Sequence, residues 1–409
     1  MAERNLDFDT VIDRSDTNAL NTDGFRRYIF HADDDRTFAI PDSDFIRMWV
    51  ADMEFAVAPE IRQTMTDRID RKIFGYTGLF SSDYYDALSA WCRTRYGWSF
   101  PREELVISPG VVTALHQLIG DLVGEGECAL TLTPAYGQFE VACRHNRVEL
   151  LSSRLVREES GRFVIDWADL EEKASRRETV LLLLCNPHNP TGRVWSREEL
   201  EGIGQLALKY DLWIISDEIH CDLLRRGKTH IPMGAVFPEE ERLITCMSAS
   251  KTFNLAGLQM SNIIIRDRTE RKRFTHNLLT ANAINPISLA AHQAAYESGG
   301  EWLSQLQEYL DGNFDLLTEF LKTELPEAVY APSEATYLAW VDLSAYFPEG
   351  SDLPDFFANQ AGVLLEGGSS MFVDNADGCV RLNLAMPRAM VREGLDRIAK
   401  AVHSLREDG

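Results

Sequence analysis

Leu243-Ile244-Thr245-Cys246-Met247 runs straight into Ser248-Ala249-Ser250-Lys251-Thr252-Phe253-Asn254, and this junction decides the fold. The first five residues have the length and β-branched content of a buried strand. The seven that follow are small and polar, so the strand ends and the chain turns, carrying a lysine on the turn. The same unit recurs upstream. Leu105-Val106-Ile107 stops at Ser108-Pro109-Gly110, and Cys128-Ala129-Leu130-Thr131-Leu132 stops at Thr133-Pro134-Ala135-Tyr136. Val180-Leu181-Leu182-Leu183-Leu184-Cys185 stops at Asn186-Pro187-His188-Asn189-Pro190-Thr191-Gly192, and Leu212-Trp213-Ile214-Ile215 at Ser216-Asp217-Glu218-Ile219-His220. Val148–Leu151 and Asn262–Ile265 are two further runs. Helical periodicity lies between them: residues 112–123 place Val112, Leu115, Leu118, Ile119 and Leu122 on one face, and 198–210 is amphipathic. Strands separated by helices predict right-handed βαβ units, hence a mostly parallel α/β sheet.

Outward from this core the pattern weakens. Residues 1–60 lack strong periodicity except Met48-Trp49-Val50-Ala51-Asp52-Met53-Glu54-Phe55, which reads as a partly buried extended segment. Phe74-Gly75-Tyr76-Thr77-Gly78 reads as a loop that exposes its tyrosine, and 83–95 as a helix. After about residue 290 the strand–helix rhythm gives way to helical patterns at 289–296 and 302–321. Short strands follow near 337–341 and 379–384, with glycine-rich Glu366-Gly367-Gly368-Ser369-Ser370 between them. The predicted division is an N-terminal arm over 1–60 that packs with the small domain, a large domain over 61–290, and a smaller α+β domain over 291–409.

The chain has 409 residues with 64 acidic and 41 basic side chains, a net charge of −23. Such a surface repels phosphate backbones, so nucleic acid is not an expected partner. The seven cysteines are scattered without a C-x-x-C pair. They read as free buried thiols in a reducing compartment, and their spacing does not suggest zinc. The acidic start has no apolar signal region, and no stretch approaches the ~18 apolar residues that a bilayer requires. The expectation is a soluble cytoplasmic protein that needs no membrane and no metal.

The polar clusters all fall at carboxyl ends of predicted strands, the rim where open α/β sheets bind ligands. Lys251 on that rim could form a Schiff base with a carbonyl cofactor; the alternative is a solvated loop lysine. Gly110-Val111-Val112 leads into a helix whose N-terminus could cradle phosphate, or is a plain turn. Asp217 ends an apolar strand, where a carboxylate needs a partner such as a protonated ring nitrogen, unless it caps the next turn. Two X-Pro units stiffen the Asn186 loop, either to hold an amide donor or as a structural turn. His188 and His220 lack a metal-site context and read as hydrogen-bonding groups. Arg381, within Val380-Arg381-Leu382-Asn383-Leu384, asks for an anionic partner, protein or substrate. No G-x-G-x-x-G or Walker sequence is present.

Taken together, the Asn186–Gly192, Ser216–His220 and Ser248–Asn254 motifs resemble those of fold-type-I pyridoxal-phosphate enzymes in the class I/II aminotransferase superfamily. Trp49–Met53, His188, His220 and Lys251–Asn254 resemble the carbon–sulfur lyase branch typified by cystathionine β-lyase. The resemblance implies a three-layer αβα large domain that binds pyridoxal 5'-phosphate, and a homodimer with shared active sites. It implies that Lys251 carries the Schiff base and the proton, Asp217 pairs with the pyridine nitrogen, and Tyr136 stacks on the ring. By the same resemblance, Asn186 and His220 meet the ring oxygen, and Gly110, Val111, Val112 and Ser248 hold the phosphate, with Tyr76 from the second subunit. Arg381, Asn186 and Ala51 would contact the substrate. One departure is Gln259, where aminotransferases often carry a phosphate-binding arginine. The implied reaction is α,β-elimination from a cysteine thioether to thiol, pyruvate and ammonia. An aminotransferase on the same cofactor is the alternative, and a catalytically inactive regulatory module is a third reading.

Overall fold

The computed structural model describes residues 6–278, 283–369 and 371–407. Its centre is a seven-stranded sheet: β1 (Leu105–Ser108), β2 (Cys128–Thr133), β3 (Glu149–Arg154), β4 (Thr179–Cys185), β5 (Trp213–Asp217), β6 (Leu243–Met247) and β7 (Ser261–Ile265). The order across the sheet is β1-β7-β6-β5-β4-β2-β3. Neighbours from β6 through β3 pair in parallel, while β7 runs antiparallel to both β6 and β1. The reversal has a local cause. Between Met247 and Ser261 lie only one turn of helix (Ala249–Thr252) and a 3-10 turn (Ala256–Leu258), with no crossover helix to carry the chain back. The lysine segment therefore stays on the rim where β6 ends and β7 begins.

Alternation along the strands supplies both faces of the sheet with apolar side chains. Ile215, Ile244, Cys246, Leu181 and Leu183 pack on one face with Leu115 and Leu118 of helix α1 (Val111–Leu122). Their sequence neighbours Ile214, Leu243, Leu182 and Leu184 pack on the other face with Leu200 and Ile203 of helix α2 (Arg197–Lys209). Helix α2 starts at a capping box between Ser196 and Glu199.

Helix α3 (Pro286–Ser298) lies against the helices Pro59–Asp70 and Asp83–Tyr96. The long helix α4 (Gly300–Glu324) serves two cores. Trp302, Leu303, Leu306 and Leu310 join Leu88, Trp91 and Phe253, whereas Phe314, Leu317, Phe320 and Leu321 pack on the C-terminal sheet. That sheet is antiparallel, with β8 (Leu338–Asp342), β9 (Glu366–Gly367) and β10 (Cys379–Asn383) in the order β8-β10-β9.

Residues 48–55, expected as a partly buried extended segment, follow the short strand Ile46–Arg47 but bend at 50–52 and 54–55, and they are more deeply buried than their pattern suggests: Met48 and Trp49 are fully buried. Ile46–Arg47 pairs in parallel with Val363–Leu364, and Asn383 donates its side-chain amide to the carbonyls of Val50 (2.8 Å) and Asp52 (2.6 Å). The Trp49 indole donates to the Asn21 carbonyl at 3.1 Å, so its polar atom is satisfied where it is buried. Among the described residues, no helix is long and apolar enough to cross a membrane, and no group of three or more His, Cys, Asp or Glu is placed to hold a metal ion.

Candidate active site

A cavity of about 330 Å³ opens at the carboxyl ends of β1, β2, β4, β5 and β6 and the start of β7. Gly110, Val111 and Val112 line it after β1, Tyr136 after β2, Asp217 and His220 after β5, and Lys251 after β6. Arg381 reaches it from β10, and Ala51 from the N-terminal segment. Residues scattered over the sequence thus share one space.

Lys251 is half-buried, and its Nζ donates to the carbonyl oxygen of Ala51 at 2.6 Å. The Tyr337 hydroxyl donates to the same oxygen at 2.8 Å. Burial pulls the Lys251 amine down to about 8, against the carboxylates of Asp52, Glu366 and Asp217, which favour its charge. Asp217 is buried, and one oxygen accepts the Ile219 N–H at 3.2 Å. Burial pushes this carboxyl up to about 7, with Lys251 opposing. Asp217 lies in register between Cys185 and Cys246, whose thiols offer it no strong donor. The buried His220 ring is held neutral, at about 3, by burial and by the charges of Lys251 and Arg381. Its Nδ1 has no hydrogen-bond partner.

Helix α1 begins at this cavity without a side-chain cap. Its first N–H groups are open toward the space, and a Cβ at Gly110 would meet only the Thr113 hydroxyl at 3.9 Å. An uncapped helix N-terminus beside empty space suits a phosphate. The half-buried amine, the buried carboxylate and this cradle together match what pyridoxal phosphate requires of a protein.

Three expected site residues do not line the cavity. Asn186 continues the β4 backbone ladder through its N–H to the Asp217 carbonyl (2.8 Å). Cys185 faces the cavity, so strand alternation turns Asn186 the other way, and its amide donates to Ile231 at 3.0 Å. Asn189, three residues on, lines the cavity instead and accepts from Arg381 at 3.1 Å. The Ser248 hydroxyl is committed to the loop, donating to the Met260 carbonyl (2.7 Å) and accepting the Ser250 N–H (3.0 Å); Ser250 is the serine at the cavity. Tyr76 is 99% exposed and borders a separate open cleft with Ile107 and Ile284. His188 is buried on Thr191 (2.7 Å) and Trp195, in a structural role.

Sequence reasoning did not find Tyr28 and Glu366, which also line the cavity. Tyr28 sits on a short helix, Phe25–Phe30, and packs on Trp49 at a ring separation of 5.2 Å. Glu366 is buried and ion-pairs with Arg381. Neither carries a local signal; only the packing of the N-terminal segment and of β9 brings them in.

The aminotransferase class I and II family model matches residues 43–398. The chain belongs to the aminotransferase class I and II family. It is 38% identical to cystathionine beta-lyase PatB of Bacillus subtilis over 88% of this chain and 93% of that protein. The pyridoxal-phosphate-bound C-S lyase of Staphylococcus hominis has a TM-score of 0.92 and 42% identity, covering 98% of each chain. Cystalysin of Treponema denticola, also with pyridoxal 5'-phosphate, has a TM-score of 0.91 and 29% identity, covering 98% of this chain and 100% of its own. The first two of these relatives are named as lyases.

Proposed function

We propose that this protein is a pyridoxal-phosphate-dependent carbon–sulfur β-lyase. With one water it converts a cysteine thioether, such as cystathionine, into a thiol, pyruvate and ammonia. The observation that carries the reading is that Lys251, Asp217, the α1 N-terminus and Arg381 converge on one cavity. Lyase relatives covering nearly the whole chain support it.

When bound, the cofactor supplies an electron sink for the pair left at the substrate Cα. The α1 N–H groups would hold its phosphate, and Thr113, Ser250 and Gln259 line the same cavity. Asp217 would pair with the ring nitrogen of the bound cofactor, a cation that would restore the carboxylate charge that burial suppresses. Asn189 supplies the amide that Asn186 cannot. Lys251 Nζ takes the Cα proton; an amine near 8 is partly free base at neutral pH and still basic enough to accept it. Arg381 orients the substrate carboxylate. A thiolate leaves readily because its thiol pKa is ~8.5.

Among the described residues lining the cavity, Lys251 and Arg381 are the cations. The preference for elimination over transamination rests on the lyase relatives that cover nearly the whole chain. The seven cysteines are free and buried, fitting a reducing compartment such as the cytoplasm. The assembly is a homodimer in this reading. Ile73, Phe74, Tyr76 and Phe80 are exposed along one short stretch and would be covered by a second copy, to whose cavity Tyr76 would contribute. The holoenzyme incubated with L-cystathionine should release pyruvate without any added keto-acid acceptor. If glutamate from 2-oxoglutarate outpaces pyruvate, the aminotransferase reading replaces this one.

A further inference from the structure

Arg381 is already engaged on the nitrogen that matters most. Its Nη1 donates to Asn189 Oδ1 at 3.1 Å. Its Nη2 donates to the Trp49 carbonyl at 3.3 Å and also pairs with Glu366. Nε has no partner. A guanidinium offers a carboxylate two donor pairs, Nη1 with Nη2 and Nη2 with Nε. Both include Nη2, which is already engaged by the Trp49 carbonyl and the Glu366 carboxylate. A substrate α-carboxylate therefore cannot bind bidentately until Nη2 releases one partner. The Trp49 carbonyl belongs to a backbone pinned by a fully buried indole and by β10. The Glu366 carboxylate is on a side chain that can turn.

We infer that Glu366 is a resident carboxylate that the substrate must exchange with at Arg381, and that it thereby sets affinity for every carboxylate-bearing ligand. It is a positioning residue, acting through Arg381 rather than on the reacting atoms. This rests on the reading of Arg381 as the substrate's carboxylate partner. Before exchange, the buried guanidinium is neutralised and held in place. During exchange, two carboxylates compete for one cation in a desolvated cavity, which weakens binding of the incoming one. An amine that lacks a carboxylate has no need of Arg381 and does not experience this competition.

The test is an equilibrium titration of the holoenzyme, read by cofactor absorbance, with L-alanine and with ethylamine, which is alanine without its carboxylate. Glu366→Gln keeps the shape and removes the charge. It should bind L-alanine about tenfold more tightly, as expected when a charged hydrogen-bond competitor is removed, while ethylamine affinity stays within twofold. With L-cystathionine, KM should fall and kcat change little. Glu366→Asp, which keeps the charge but shortens the reach to Arg381, should shift L-alanine affinity in the same direction by less, and carries the test if the glutamine variant does not fold. Unchanged or weaker L-alanine binding, an equal shift for both ligands, or no saturable response to L-alanine would overturn the inference. Absence of pyruvate from L-cystathionine would instead reject the lyase reading while the alanine–ethylamine comparison still reports on Glu366.

Discussion

The ammonium of Lys251 donates to the carbonyl of Ala51 at 2.6 Å, across 200 residues of sequence. The contact ties the reactive amine to the N-terminal segment that lines the cavity at Val50 and Ala51, and Asn254 holds that segment from the same loop. Its side chain accepts from Met53 N–H (3.0 Å) and donates to the carbonyls of Met53 (2.9 Å) and Phe55 (3.1 Å). Lysine loop and N-terminal segment are therefore one unit.

Replacing Lys251 with alanine should leave the fold intact, since the amine is half-buried and its partner carbonyl still receives the Tyr337 hydroxyl. Pyruvate release from L-cystathionine should drop by about 10³-fold or more, the scale of a lost general base. A thermal melt within a few degrees of native, beside the lost activity, checks this.

Asn254→Ala removes three hydrogen bonds, and alanine must then adopt the positive φ of 57° at this site. The cost should be about 2–3 kcal/mol, with KM rising more than kcat falls because Ala51 loses its support. Asn254→Gly keeps the backbone relaxed and separates the two contributions. Urea unfolding of both variants measures them.

The paired variants Asn186→Ala and Asn189→Ala should differ in kind. Asn189 lines the cavity, so its loss should lower kcat/KM and alter the cofactor spectrum. Asn186 donates to Ile231 outside it, so its loss should cost about 1–2 kcal/mol of stability with the spectrum unchanged. The reverse pattern would restore Asn186 to the site.

In the apoprotein, Asp217 should impose a pH dependence on stability. Its carboxyl is raised to about 7 in the folded chain from an ordinary value of 3.8. Between those values the folded state holds the proton and the unfolded state does not. Stability from this group is thus fully present below 3.8 and is lost as pH rises through about 7, on the order of a few kcal/mol. Apo Asp217→Asn should lose less stability than native between pH 4 and pH 7. In the loaded enzyme the same variant should lower kcat by about 10²–10⁴-fold, because the ring nitrogen loses its counter-charge. Denaturant midpoints across pH and initial rates read the two effects separately.

Gln259→Arg should tighten cofactor retention. Gln259 lines the cavity near the α1 N-terminus at a φ of 49° that arginine adopts no less readily than glutamine. A charged donor to phosphate should slow cofactor loss on dialysis by about tenfold.

Much of this was open to one-dimensional reading. Runs such as Val180–Cys185 and Leu243–Met247 are long, apolar and bounded by turn residues, and both proved to be strands because burial on two faces demands that composition. Asp217, His220 and Lys251 were legible because they sit at or just beyond the ends of such runs, where the chain reaches the rim. The direction of side chains within a turn was not. Asn186 and Asn189 are the same residue type three positions apart, and only the backbone ladder to Asp217 decides that the first faces away. Ser248 and Ser250 pose the same ambiguity.

From the sequence alone, the strands of the main sheet and the polar clusters at their ends were legible, since both depend on composition within a few residues, and the resemblance of those motifs pointed to the family. The tertiary structure alone decided that Glu366 meets Arg381, that Tyr28 enters the cavity, that Ala51 receives Lys251 and that α4 joins two cores. Those pairings depend on how separately folded segments pack in space, where contacts between residues hundreds of positions apart leave no periodic trace along the chain.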